Sequence, residues 1–257
     1  MIIDSHLHLD EKVDGTALGA AYELNTQLEK AGVDKAVVLH LETQPWSAEE
    51  VSVAIAKYPR LAGFINLHPK KENAISQLHK GINELNYIGL KLHPRLQEFK
   101  TEDIDTIKLV REAGKMNIPV LIDAFPDGTH LMQGFSPLHY AKLAKECPDT
   151  KIIWAHMGGH YVLDFMMLAK RLPNVYMDMS YSLLYYQNSP TVDNMVYAMR
   201  SMKFDRIFYG SDYPDRTIEK TVHGSIAFLK QKGLTAEELD KVMYKNALDF
   251  FKWKEIK

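Results

Sequence analysis

Short apolar runs alternate with amphipathic stretches along the chain. The runs cover residues 1–10, 35–40, 61–68, 88–94, 119–125, 151–156, 174–180 and 206–212. Between them apolar residues recur every three or four positions, as at Leu18, Ala21, Leu24 and Leu28, which is typical of helices with one buried face. Apolar runs that alternate with such helices indicate parallel strands covered on both sides. Eight of these units predict a (β/α)8 TIM barrel of the α/β class.

Helix-ending signals support this division. Ser47 with Glu50 three residues later forms a capping-box pattern, and Gly32 stands where a C-terminal cap glycine belongs. The predicted helices cover residues 47–58, 70–86, 101–116, 136–147, 190–202, 216–232 and 235–252, besides the first helix and one that ends at residue 171. Two longer loops, 125–135 and 181–189, are predicted lids or pocket walls.

Composition places the chain among ordinary globular proteins and limits the classes of molecule that it is expected to bind. The 257 residues match one barrel, so a single domain over 1–257 is predicted. Hydrophobic residues make up 46% and charged residues 25%, with a formal net charge of -2, so no basic excess favours nucleic acid. No apolar stretch has the length of a membrane span, and Cys147 is the single cysteine. We expect a cytoplasmic protein that binds a small molecule and neither nucleic acid nor membrane.

Histidine and aspartate mark the end of every predicted strand. In a (β/α)8 barrel, the carboxyl ends of the strands form the active face. Six of the 11 histidines lie at these positions, which favours a functional site over chance. The strand-end residues, in chain order, are His6 with His8, His40, His68, His93, Asp123, His156, Asp178 and Asp212.

The first strand and the last carry the most specific chemistry. Since alternate residues of a strand share a face, His6 and His8 can converge on one cation. The predicted site holds one divalent metal through His6, His8 and Asp212, with a further ligand from Asp123 or His156. Nitrogen and oxygen donors suit Zn and also Mn, Fe or Co, which leaves the identity of the metal open. Asp212 is the predicted general base, and His156 either binds metal or stabilises a substrate oxyanion.

A second group of residues is predicted to bind substrate. Lys91, His93 and Arg95 alternate along the fourth strand, although Pro94 can break the period after His93, and they would form a basic stripe for an anion such as a carboxylate. The alternative is that Lys91 and Arg95 pair with carboxylates of the barrel or its loops, and a carboxylated Lys91 between two metals is a third option. Tyr181, with the tyrosines that follow it in the loop 181–189, predicts an aromatic wall.

Five motifs together resemble the amidohydrolase superfamily, and within it the amidohydrolase-related branch. They are IDSHLHLD, GLKLHP, AHMGG, YGSDYP and YKNALDFF, each in its expected place from residue 2 to about residue 253. The resemblance implies a mononuclear metal, usually Zn, and hydrolysis of lactones, esters or amides, or decarboxylation of unsaturated keto-acids. It implies that His6, His8 and Asp212 are metal ligands and that His156 is catalytic.

One position departs from that pattern. The branch usually ends strand five in PVLIH, with the histidine as a ligand, whereas this chain has PVLID and places Asp123 there. If Asp123 binds, the harder ligand set favours Mn or Fe relative to Zn. If it does not, metal affinity falls and the site resembles the metal-independent lactonases of the superfamily.

The sequence therefore predicts a metal-dependent hydrolase of a small lactone, ester or amide that bears a carboxylate. Decarboxylation at the same site is the nearest alternative. A TatD-like nuclease is a further one, but those enzymes carry a glutamate in strand four where this chain has GLKLHP. The last alternative is a barrel that binds a ligand without catalysing a reaction. A homo-oligomer is compatible with the sequence.

Overall fold

Eight parallel strands form the centre of the protein. The computed structural model describes residues 1–253. The strands are β1 Ile3–Leu7, β2 Lys35–Leu39, β3 Leu61–Asn66, β4 Gly89–Leu92, β5 Val120–Ile122, β6 Ile152–Trp154, β7 Val175–Asp178 and β8 Ile207–Phe208. Each pairs in parallel with the next in chain order. Backbone bonds from Ser5 N to Tyr209 O (2.9 Å) and from Asp212 N to His6 O (2.8 Å) join β1 to the segment after β8. The predicted (β/α)8 barrel is confirmed.

Helices follow the strands and cover the outside of the sheet. They are α1 Ala17–Lys30, α2 Ala48–Ile55, α3 Ala74–Asn83, α4 Pro94–Gln97, α5 Ile104–Lys115, α6 Gly128–Met132, α7 Pro137–Glu146, α8 Val162–Ala169, α9 Ser182–Tyr185, α10 Pro190–Ser201, α11 Ile218–Gln231, α12 Ala236–Asp240 and α13 Asn246–Phe250. A π-helical turn, Lys241–Lys245, joins α12 to α13. None of the helices within residues 1–253 combines the length and apolar character that crossing a membrane requires.

Local signals fix the ends of these helices as the sequence predicts. Ser47 caps α2 in a capping box with Glu50, in which each side chain accepts from the backbone N–H of the other residue. Gly32 follows the C-terminal cap of α1 with a φ of +68°, a conformation that costs glycine little. Such ends fix where each strand begins.

The barrel is filled with apolar side chains at the amino end, and His8 and Asp212 are partly exposed at the carboxyl end. One buried apolar cluster takes a residue from each of six strands, and Phe250 of α13 packs against it. The six are Ile3, Val37, Phe64, Leu121, Ile153 and Phe208. A larger cluster lies between the sheet and the helices. Because α13 closes the amino end, the polar strand ends at the opposite face are left to form a site.

Several predicted boundaries were wrong. Strand four ends at Leu92 and not at residue 94, because Pro94 begins α4, so Arg95 lies on a helical turn and the basic stripe is broken. Strand eight spans two residues, which leaves Asp212 in the loop after it. The third helix is Ala74–Asn83 rather than 70–86, and both long loops contain a short helix, α6 and α9.

Candidate metal centre and active site

Three predicted ligands converge at the carboxyl end of the barrel. His6 on β1, His8 just after it and Asp212 after β8 each offer one ligand atom, and these atoms lie within 4.8 Å of one another. Asp212 Oδ1 is 3.3 Å from His6 Nε2 and 3.6 Å from His8 Nε2. The backbone bond from Asp212 N to His6 O holds the two segments together.

The hydrogen bonds of the two imidazoles determine which nitrogen is free. His8 Nδ1 lies 2.8 Å from the Leu39 carbonyl oxygen, which can only accept, so Nδ1 carries the proton and Nε2 a lone pair. His6 Nδ1 lies 3.0 Å from Asp178 Oδ2, which assigns its proton in the same way. Two lone pairs and a carboxylate oxygen thus face one another, an arrangement that a cation stabilises. The donor set fits a divalent metal ion.

The charge states agree with that assignment. Burial lowers the pKa of His6 to about 4, so its imidazole is neutral at physiological pH, as a ligand must be. Burial alone raises the pKa of Asp212, but its contact with His8 and the positive charge of His156 hold it well below its ordinary value. Asp212 is therefore ionised.

Asp178 and Ser180, both fully buried, connect this cluster to His156. Asp178 accepts from His6 through Oδ2, while its Oδ1 accepts from the backbone N–H of His156 (3.0 Å) and of Ser180 (3.1 Å). The Ser180 hydroxyl donates to Asp178 and lies 3.1 Å from His6 Nδ1 and 3.0 Å from His156 Nδ1. No sequence pattern marks Ser180, although it stands two residues after a strand-end aspartate.

His156 and Asp123 form a buried pair beside the cluster. His156 Nε2 is 3.1 Å from Asp123 Oδ1, and the His156 ring centroid is 4.9 Å from that of His6. Burial alone lowers the pKa of His156, but the hydrogen bond with Asp123 and nearby carboxylates raise it to about 9. His156, His6 and Asp178 also form a group whose ligand atoms lie within 4.8 Å of one another. Within residues 1–253, no such group of three contains Asp123.

Basic side chains surround the other side of Asp123. His93 Nδ1 and Arg95 Nε lie 3.6 Å and 3.9 Å from Asp123 Oδ2. Arg95 Nη1 pairs with Asp127 Oδ2 at 2.9 Å, so Arg95 is engaged with a loop carboxylate. Lys91 is 1% exposed, and burial lowers its pKa against the opposing charges of Asp123 and Asp212.

An aromatic wall stands over this group. Phe125 packs edge-on against Tyr181, with ring centroids 5.0 Å apart, and lies 5.8 Å from His156. Tyr185 stacks on Tyr181 at 4.9 Å. On the other side the Arg216 guanidinium lies 5.8 Å from the Tyr181 ring centroid. No sequence pattern marks Arg216, four residues after Asp212, because only the fold brings it to the wall.

Comparison with known proteins identifies the family. The sequence matches the family described as Amidohydrolase over residues 3–253. The chain belongs to the amidohydrolase family. No curated protein matches it.

Solved structures share the barrel of this amidohydrolase. An uncharacterised TIM-barrel protein from Bordetella bronchiseptica is 17% identical with a TM-score of 0.82, covering 98% of each chain. A probable 2-pyrone-4,6-dicarboxylic acid hydrolase from Acinetobacter baumannii, solved with citric acid, is 16% identical with a TM-score of 0.72, covering 98% of this chain and 99% of that one. A 5-carboxyvanillate decarboxylase from Novosphingobium aromaticivorans, solved as a mutant with manganese, is 15% identical with a TM-score of 0.69, covering 98% and 97%. At these identities the likeness shows the fold alone.

Proposed function

We propose that this amidohydrolase is a metal-dependent hydrolase of a small lactone, ester or amide that bears a carboxylate. The observation that carries the proposal is the convergence of His6 Nε2, His8 Nε2 and Asp212 Oδ1 at the carboxyl end of the barrel. Each imidazole is fixed by a partner at its other nitrogen, which is how proteins orient metal ligands.

These three side chains would hold the ion. When bound, a divalent cation polarises a substrate carbonyl and makes a neighbouring water more acidic. Zn is the proposed metal, since imidazole and carboxylate donors suit it, and Mn, Fe or Co suit the same donors. The manganese in the similar decarboxylase keeps Mn among the candidates.

The chain's own residues supply the remaining steps. Asp212 is ionised and accepts a proton from water through its carboxylate. His156, a buried cation paired with Asp123, stabilises negative charge that develops on the substrate oxygen. Lys91 and Arg95 add positive charge on the same side and favour an anionic substrate.

Binding specificity is assigned to the wall and the basic group. Tyr181 presents an aromatic face next to Phe125, and a planar or apolar part of the substrate would rest against it. His93 lies close to Asp123 and helps to shape the basic side of the pocket.

Decarboxylation is the second candidate, and a specific observation favours it. The aromatic wall of Phe125, Tyr181 and Tyr185 suits an aromatic acid, and the similar decarboxylase from Novosphingobium aromaticivorans was solved with a nitrobenzoic acid. On the same site, the bond between a substrate carbon and its carboxylate would break, CO2 would leave, and that carbon would take up a proton in its place.

Product analysis separates the two reactions. Purified protein would be analysed for metal content and then incubated with carboxylated lactones, esters and amides and with aromatic acids, while ring-opened or cleaved acid and CO2 are measured. We expect His6→Ala and Asp212→Asn to abolish turnover and Asp193→Asn, an exposed substitution on α10, to preserve it. Unchanged turnover in both site variants would refute the proposal.

A further inference from the structure

The guanidinium of Arg216 is held more loosely than the other basic groups near the site. It donates no hydrogen bond to the part of the chain that the structure describes, and its ion pair joins Nη1 to Asp215 Oδ2 at 3.8 Å. The two side chains of that pair are 33% and 45% exposed, so water screens the pair and it contributes little. Arg95, in contrast, pairs with Asp127 at 2.9 Å, and Lys91 is 1% exposed. The donors of Arg216 are therefore available to a ligand.

The backbone on both sides of Arg216 is fixed. Asp215 N donates to Asp212 O at 3.1 Å, so a turn connects Arg216 to a proposed metal ligand. Thr217 then caps α11, where its hydroxyl accepts from Lys220 N at 3.4 Å. Because both flanking segments are hydrogen-bonded, Arg216 keeps its place beside Asp212.

The Tyr181 ring lies near both Arg216 and His156. The guanidinium carbon of Arg216 is 5.8 Å from the Tyr181 ring centroid, which is 6.2 Å from the His156 ring centroid. The Tyr181 phenol also lies within electrostatic reach of Asp212 and Arg216. A cation–π contact extends to about 6 Å, so the ring does not hold the guanidinium tightly. A planar acid that rests against Tyr181, with its reacting group near His156, can therefore present a carboxylate to Arg216.

We propose that Arg216 binds the carboxylate of the substrate, and that the substrate is an acid in which a planar segment separates this carboxylate from the reacting group. The inference rests on the proposed function only in calling the acid a substrate. A guanidinium donates two parallel N–H bonds to a carboxylate, which fixes the orientation of the acid as well as its position. Lys91 and Arg95 then add positive potential to the pocket, and Arg216 makes the direct contact.

Binding of a planar acid to metal-free protein tests the assignment without turnover. The probe is isophthalamate, the monoamide of isophthalic acid, and its neutral counterpart is the diamide isophthalamide. Both would be titrated by calorimetry into chelator-treated protein. We expect the acid to bind at least about tenfold more tightly than the diamide, because hydrogen bonds between charged groups are the stronger ones. Added NaCl should weaken binding of the acid, since it screens the charges.

Variants of Arg216 assign that difference to one side chain. Arg216→Met should weaken binding of isophthalamate at least about tenfold and leave binding of the diamide unchanged. Arg216→Lys keeps the charge but loses the planar fork, so its Kd for the acid should lie between those of wild type and Arg216→Met. The matched control Arg171→Met removes an exposed arginine that follows α8 and should bind both compounds as wild type does.

Nuclear Overhauser effects between the bound acid and the protein locate the probe. We expect contacts between the ring protons of isophthalamate and those of Tyr181, with Tyr181→Phe used for assignment.

Three results would overturn the inference: wild-type protein that binds the acid no more tightly than the diamide, a wild-type Kd in Arg216→Met, or a bound acid without contacts to Tyr181. The first needs no variant to fold. Protein that binds the acid through Arg216 but binds no Zn²⁺ would support the assignment of Arg216 and refute the proposed metal dependence.

Discussion

Gly210 provides a quantitative test of how tightly the site is packed. It follows β8, and a Cβ at this position would lie 2.7 Å from His6 Cβ and 2.9 Å from Ser180 Cβ. Carbon atoms pack best at about 3.5–4.0 Å, so Gly210→Ala creates an overlap of roughly 1 Å against both β1 and the segment after β7. His6 and Ser180 are both bonded to Asp178, which prevents either from yielding freely.

Overpacking of a buried region lowers the free energy of unfolding by about 1–3 kcal/mol. For a domain of this size, 1 kcal/mol lowers Tm by about 2–4 °C, so Gly210→Ala should lower Tm by about 2–12 °C. The Zn²⁺ affinity should fall as well, because His6 is displaced. Circular dichroism would follow the unfolding of metal-free protein, and chelator competition would give the affinity.

Gly224→Ala is the matched control. It lies within α11, where the added Cβ meets Leu184 at 3.4–3.5 Å, an ordinary contact. Alanine within a helix is favoured over glycine by about 0.5–1 kcal/mol, so this variant should be as stable as wild type or more stable. If Gly210→Ala unfolds at the same temperature as Gly224→Ala, the packing argument is wrong.

Three further predictions concern metal, support and burial. Zn²⁺ at about 100 times its Kd should add about 2.7 kcal/mol to the free energy of unfolding and raise Tm by roughly 5–11 °C in thermal scans. A chelator should reverse this increase, and His6→Ala should abolish it. An unchanged Tm would count against a specific metal site. Asp178→Asn should weaken Zn²⁺ binding about 10–100-fold in chelator competition, because His6 loses its carboxylate acceptor. Asp193→Asn should leave the affinity unchanged. Equal affinities of the two variants would refute the idea that Asp178 orients His6 for metal binding. Cys147 is buried, and burial raises its pKa to about 11. At pH 8 its thiol should therefore react with a thiol reagent only after denaturation, which should give one thiol per chain. Rapid reaction of the native protein would contradict the burial of Cys147.

The sequence predicted the barrel because the signals for it are local. Apolar runs, caps such as Ser47 and the glycine after α1 each depend on a few neighbouring residues. Once eight βα units are recognised, the rule that strand ends share one face brings His6, His8 and Asp212 together without any knowledge of side-chain conformation. The structure agrees, with their ligand atoms within 4.8 Å.

Other parts of the site depend on information that local patterns do not contain. Pro94 marks a possible break of strand four in the sequence and begins a helical turn there, but the contact of Arg95 with Asp127 arises only in the folded chain. Ser180 and Arg216 belong to common residue types, and their contacts with His156 and Tyr181 arise only when distant loops meet. The pairing of Asp123 with His156 depends on rotamers, which residue spacing does not determine.

Several residues with left-handed backbone lie at the carboxyl end of the barrel, besides others elsewhere in the chain. His156, Tyr181 and Asp212, which follow β6, β7 and β8, have φ values of +60°, +56° and +56°. A left-handed conformation costs a non-glycine residue about 1–2 kcal/mol, so it persists only where surrounding bonds hold it. Here Asp178 accepts from the backbone of His156, and His6 O accepts from that of Asp212. Because these bonds end on residues of the proposed metal centre, a change that releases the strain would also displace the ligands.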